Sequence, residues 1–180
     1  MTLTPSLRKL VRTAHVTFTV GWLGSVAAFL ALAIAGLKSP DTQIVRAVYI
    51  AMDLMTRYVI VPLSLAPLLT GPLLSLGTPW GLFRHYWILV KLVITVLSTL
   101  ILLMHLQPIS YLSRVAAAGT LSSTDLPVQI QMVAASAAAL LALLVATALA
   151  VYKPRGLTPY GWRKQYEERI LSQPGTEVRN

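Results

Sequence analysis

The stretch Val16 to Leu37, VTFTVGWLGSVAAFLALAIAGL, decides the fold. It runs from valine to leucine without one charged residue. A helix needs roughly 20 apolar residues to cross a hydrocarbon core of about 30 Å, and this run is long enough on its own. Arg8, Lys9 and Arg12 before it, and Ala33-Ile-Ala35 near its end, imitate a cleavable leader. The run is too long for a leader's apolar segment of about 7–15 residues, so it is expected to stay as a span. Working outward, three more runs repeat the pattern. They are Tyr58 to Leu76, Tyr86 to Leu106 (broken only by Lys91 and His105) and the uncharged Val128 to Tyr152. Backbone polar groups in lipid must bond within their own segment, and none of these runs alternates polar with apolar residues as a barrel strand does, so all four are read as helices.

The expected fold class is all-α. The chain reads as a polytopic membrane protein, a four-transmembrane-helix bundle spanning at about 14–37, 57–77, 86–106 and 128–152, with both termini cytoplasmic. The orientation comes from the basic residues. Of the 15 Lys and Arg, all but Lys38, Arg46, Arg57 and Arg114 fall on the side of the termini, and the positive-inside rule puts that side in the cytoplasm. Residues 1–152 form the bundle domain. Residues 153–180 form a basic cytoplasmic tail in which Trp162, Tyr166 and Ile170 recur every fourth residue among charges. That spacing predicts a short interfacial helix over 161–172.

Composition agrees. In 180 residues, 56% are hydrophobic and 12% charged, about half the charge of a soluble domain. Disordered chains are polar and highly charged, which excludes disorder. The net charge of +9 is read as basic membrane edges facing lipid, with no nucleic-acid partner. The absence of cysteine excludes disulfides, thiolate metal sites and cysteine nucleophiles.

Two features concern packing. Asp41 to Thr56 has a helical pattern and leads into the second span, so that helix is expected to start near Thr42. Asp53 and Arg57, four apart, can pair on one face. Pro62, Pro67 and Pro72 each remove a backbone donor and predict kinks. A short helix is expected in the loop near Ser110 to Ala118. Ala134, Ala138, Ala142, Ala146 and Ala150 form one small-residue ladder and Thr17, Gly21 and Ser25 another, and the two are expected to face helix neighbours, and each other, in a compact bundle.

For chemistry, the chain carries no phosphate-binding glycine loop, no zinc-protease helix and no nucleophile elbow. No acidic residue falls at mid-membrane, where a proton-coupled carrier often has one. This points away from an enzyme and towards a structural, accessory or binding component, with the lipid bilayer and a second copy or another membrane protein as partners. Two polar sets remain. His15, His85 and Lys91, with Trp80 and Trp87, are expected at one depth near the termini. Two imidazoles there could hold haem b and the lysine a propionate. At the other end Met52, Met55, Met104 and His105, with Met132 nearby, offer thioether and imidazole ligands suited to Cu(I). Met filling irregular core gaps is the plainer alternative.

The combination of His15, Trp22-Leu23-Gly24-Ser25, Leu69-Thr70-Gly71 and the run Gly81 to Leu92 (GLFRHYWILVKL) resembles a family of small bacterial four-helix integral membrane proteins without an assigned reaction. The resemblance covers the first three spans and extends to the fourth by composition alone. It implies a bacterial inner membrane and a four-helix fold. A more distant likeness is to the four-helix membrane protoporphyrinogen oxidase and the membrane part of copper-resistance protein D. It implies a functional histidine at His15 and a tryptophan–lysine pair at Trp87 and Lys91.

Overall fold

The computed structural model describes residues 4–76, 81–154 and 156–172. Trp80, Gly77, Arg155 and residues 173–180, the last part of the expected tail, lie outside the described residues. The described chain is helical throughout, without a strand. Helix α1 covers Pro5–Lys38. Helix α2, Thr42–Met55, runs through a π-helical turn, Thr56–Ile60, into α3, Val61–Leu76. Then come α4, Tyr86–Ala118, a 3-10 turn at Ser123–Asp125, α5, Leu126–Tyr152, and the tail helix α6, Pro159–Ser172.

Four of these stretches are long and apolar enough to cross a membrane: Pro5–Lys38, Thr42–Leu76, Tyr86–Ala118 and Ser123–Tyr152. At 1.5 Å per residue, 30 to 35 residues make rods of about 45–50 Å, well beyond the roughly 30 Å of a hydrocarbon core. In their most apolar windows only 11% to 28% of residues are buried inside the protein. Leu97, Leu100 and Ile101 of α4, for example, are more than half exposed. The rods run alternately up and down, and both ends of the described chain emerge at one end of the bundle, here the terminal end. The other is the loop end.

Local chemistry explains the boundaries. Thr4 caps α1 through its side chain, with Pro5 as the first helical residue, where its missing N–H costs nothing. Asp41 caps α2 by accepting from the Gln43 N–H at 2.8 Å. The second long helix begins at Thr42, where the pattern placed it. Its prolines are absorbed without a break. Pro62 cannot donate and would crowd the carbonyl four residues back. The chain widens into the π turn just before it, where the Val61 N–H reaches the Thr56 carbonyl. Around Pro67, Ser64 and Thr70 hydroxyls donate to the Val61 and Ala66 carbonyls, both at 2.8 Å.

The short helix expected near Ser110 is not separate. It is the last third of α4, which continues through Pro108 to Ala118. Gly119 ends it at φ +70°, with the Gly119 and Thr120 N–H groups closing on the Ala116 and Val115 carbonyls, the left-handed stop that glycine adopts without a Cβ penalty.

The packed core gathers towards the loop end. Trp22, Val26, Phe29 and Ala33 of α1 meet Val48, Tyr49 and Met52 of α2, Ile109, Leu112 and Ala116 of α4, and Met132 and Leu143 of α5. Helix α1 packs against α5, α3 and α2, and α4 against α2, α5 and α3.

The small-residue ladders behave differently from expectation. Gly21 is met by the Leu63 side chain of α3, 3.3 Å from where a Cβ would sit, so that part of the α1 stripe faces α3. On α5 the buried residues are Gln129, Met132, Ser136, Leu143 and Ala146. Of the alanine ladder only Ala146 is buried, while Ala134 and Ala138 are exposed. The reason is geometric. A four-residue step overshoots one turn of 3.6 residues by about 40°, so a five-membered ladder drifts by about 160° and cannot stay on one interface of a straight helix.

Candidate functional site

Three polar or hollow places stand out, at the terminal end, the loop end and along one side. At the terminal end His15 is half-buried on α1. Its Nδ1 lies 2.8 Å from Thr70 Oγ1 of α3. The Thr70 hydroxyl gives its single proton to the Ala66 carbonyl. His15 Nδ1 is therefore assigned as the protonated nitrogen, donating to Thr70, and Nε2 keeps its lone pair. Gly71 follows Thr70, and a Cβ there would stand 3.4 Å from His15 Cε1. Lys91 lies on α4 in the first two turns after His85. The ladder of hydroxyls on α4, Thr95 to the Lys91 carbonyl at 2.8 Å and Thr99 to the Thr95 carbonyl at 2.9 Å, rises from there into the bundle.

His85 stands apart from this pair. It is the residue before the first turn of α4, six positions ahead of Lys91, or about 9 Å along a helix axis. Its backbone pairs with Leu157, and its ring is tilted at 54° against Trp87 with centroids 6.3 Å apart. Helix α4 thus places Lys91 near the level of His15 and leaves His85 at the rim.

At the loop end Asp53 and Arg57 form the expected pair. Arg57 Nε donates to both carboxylate oxygens at 3.1 and 3.2 Å. Ser110 of α4 completes it. Its oxygen accepts from Arg57, and it lies 2.9 Å from Asp53 Oδ1 and 2.8 Å from the Leu106 carbonyl, the two acceptors for its one proton. These residues line a polar recess of about 390 Å³ with Gln107, Ser113 and Arg114. The hydroxyl of the next residue, Tyr111, donates to Asp125 at 2.8 Å, tying the end of α4 to the start of α5.

The thioether set gathers only in part. Met52 is 1% exposed in the core with Met132, and Met55 packs against that core. Met104 is 75% exposed and turned outward. His105 Nδ1 donates to the Ile101 carbonyl at 2.8 Å, and its Nε2 accepts from Gln131 at 3.4 Å. Consecutive helical residues point about 100° apart, which is why Met104 and His105 part company. Among the described residues no three His, Asp or Glu side chains cluster as around a metal ion.

The third place has no counterpart in the motifs. Between α1, α4 and α5 lies a partly open crevice of about 370 Å³. Phe29, Ile60, Leu97, Ile101 and Met132 form its wall, Ala135, Ala138, Ala139 and Ala142 its floor on α5, and Ser98, Ser136 and His105 its polar groups. Ser136 is already engaged, donating to the Met132 carbonyl at 2.7 Å. The alanines that looked like a packing ladder leave room here in place of filling it. A run of alanine opposite leucine and isoleucine was the one signal in the sequence that could have indicated a hollow. Comparison with known proteins finds no matching family model, no similar curated protein and no similar solved structure.

Proposed function

We propose that this is an integral protein of the bacterial cytoplasmic membrane, with both termini in the cytoplasm, and that it works as a binding component that holds the apolar chain of a membrane lipid or lipid-like molecule. The observation that carries the reading is the crevice between α1, α4 and α5. Its size, about 370 Å³, falls in the range of small-molecule sites, roughly 300–1,000 Å³. Its wall is hydrocarbon, and its polar groups are few. It opens on a side of the bundle where α4 exposes a continuous apolar surface, so acyl chains are the solvent at its mouth. The test is mass spectrometry of the protein extracted in mild detergent. Wild type should retain a lipophilic molecule that Ala138→Leu, which fills the crevice, releases while the helical signal is unchanged. Equal retention by both proteins would remove the reading.

A second reading has its own observation. The Thr70 contact fixes the His15 ring and leaves Nε2 as a lone pair, the arrangement by which a hydrogen bond on one nitrogen orients a metal-ligating imidazole. His15 offers one axial ligand for haem b, and Lys91 a cation for a propionate. Purified protein expressed with ample haem should then show a Soret band that His15→Ala abolishes. No band in wild type removes the haem reading.

A further inference from the structure

The tail helix is fastened to the bundle by its back. Thr158 is buried. Its N–H donates to the Arg84 carbonyl at 3.0 Å, and its hydroxyl reaches the Phe83 carbonyl. The Tyr86 N–H donates to the Gly156 carbonyl at 3.3 Å. Gly161, also buried, passes so close to the Arg84 backbone that a Cβ would lie 2.3 Å from that carbonyl oxygen. Two turns further on, Glu168 pairs with Arg84 at 2.8 Å. Gly161 and Glu168 are seven apart and share one face of the helix.

The opposite face carries Trp162, Tyr166 and Ile170, each more than half exposed, with Arg163 and Arg169 on its flanks by helical spacing. The acids of this helix are occupied elsewhere, Glu168 by Arg84 and Glu167 by Lys164 at 3.8 Å. The clasp also sets the depth. It ties the start of α6 to the first turn of α4, where Phe83, Tyr86 and Tyr152 are exposed, as aromatic side chains are at the head-group level of a bilayer. Arg8, Lys9 and Arg12 stand exposed at the same end of the bundle on α1, which carries no acid at all.

We infer that α6 is an interfacial anchor. Its back is clasped to Arg84, and its Trp162–Tyr166–Ile170 row seats at the surface of an anionic bilayer, with Arg163 reaching the lipid phosphates. Indole and phenol rings favour that zone because one end is apolar and the other wet. Arginine stems lie along apolar surface while their heads stay in water. The inference rests on the membrane reading, and its test separates the two: a protein that fails to enter vesicles at all removes the membrane reading, whereas the labels below report on α6 alone.

The chain has no cysteine, so single labels are simple to place. Ile170→Cys and Lys164→Cys, each carrying a nitroxide, are reconstituted as the full chain into vesicles of phosphatidylcholine alone or mixed with phosphatidylglycerol. In the anionic vesicles the label at 170 should lose collisions with a water-soluble nickel chelate and gain collisions with oxygen, and the label at 164 should not. Adding Trp162→Ala and Tyr166→Ala should return the label at 170 to water. Equal shielding in neutral vesicles overturns the assignment to an anionic surface. A label at 170 fully open to the nickel chelate in both overturns the anchor. Spin–spin broadening at 170 that grows with protein density would mean that the row meets a second copy, and would also overturn it.

Discussion

The seam between α1 and α2 and the seam between α4 and α5 are both lined by small residues, yet they are built in opposite ways. At the first, Gly36 is buried, and Val48 and Tyr49 come within 3.1 Å of where its Cβ would be. The glycine is a hole and the facing helix supplies the knob. At the second, four alanines line a crevice that nothing in the chain fills. Small residues therefore mark close approach only where a large side chain answers them. Where none does, they mark a space, and in lipid that space is open to whatever apolar chain is at hand.

The largest expected effect attacks the tight seam. Gly36→Leu forces a side chain into atoms already in contact. It should destabilise the bundle by about 3 kcal/mol, the upper part of the range for overpacking, read as a lower thermal midpoint in detergent. The same change at the loose seam, Ala138→Leu, should shift the midpoint by less than about 1 kcal/mol, because no native contact is displaced. If both lower it equally, the two seams do not differ and the crevice is not open space.

A third change sharpens the description of the tight seam. Tyr49 is buried there, and its hydroxyl is the one buried side-chain polar atom without a hydrogen-bond partner among the described residues. Leaving such a group unpaired costs about 1–3 kcal/mol. Tyr49→Phe should therefore raise the midpoint, by about 1 kcal/mol. A fall would mean that the hydroxyl has a partner, such as a water. The smallest effect belongs to the polar rim where α2 meets α4. Asp53→Asn removes the negative charge facing Arg57 and one of the two oxygens that accept from it. The pair is partly exposed, with side chains 20% and 48% accessible, so the expected loss is about 0.5 kcal/mol, and it should shrink as salt is added.

What was legible beforehand depended on how far along the chain the interacting residues lie. The Asp53–Arg57 pair could be read because four residues make one turn. The start of α2 at Thr42 could be read because Asp41 is a good cap. Ser110 joins that pair from 53 positions away, His15 meets Thr70 across 55, and Arg84 holds Glu168 across 84. No spacing rule reaches such distances. The expected shared depth of His15, His85 and Lys91 is a long-range relation of the same kind. Antiparallel threading brings residues to similar depth, but six residues of α4 separate the rim from the site. Of the methionine set, Met52, Met55 and Met132 share the core, while helical rotation turned Met104 outward.

Read alone, the 180 residues settle that the chain is helical and has four segments able to cross a membrane, because run length and the need to satisfy backbone groups in lipid are properties of single segments. Which faces touch, that Gly21 faces Leu63 on α3, that α5's alanines border a hollow and that the tail is clasped at Gly161, were decided only when the rods came together. Such contacts depend on the rotation of each helix about its axis. That angle is fixed by the sum of many weak packing interactions between rods and is not encoded in any one of them.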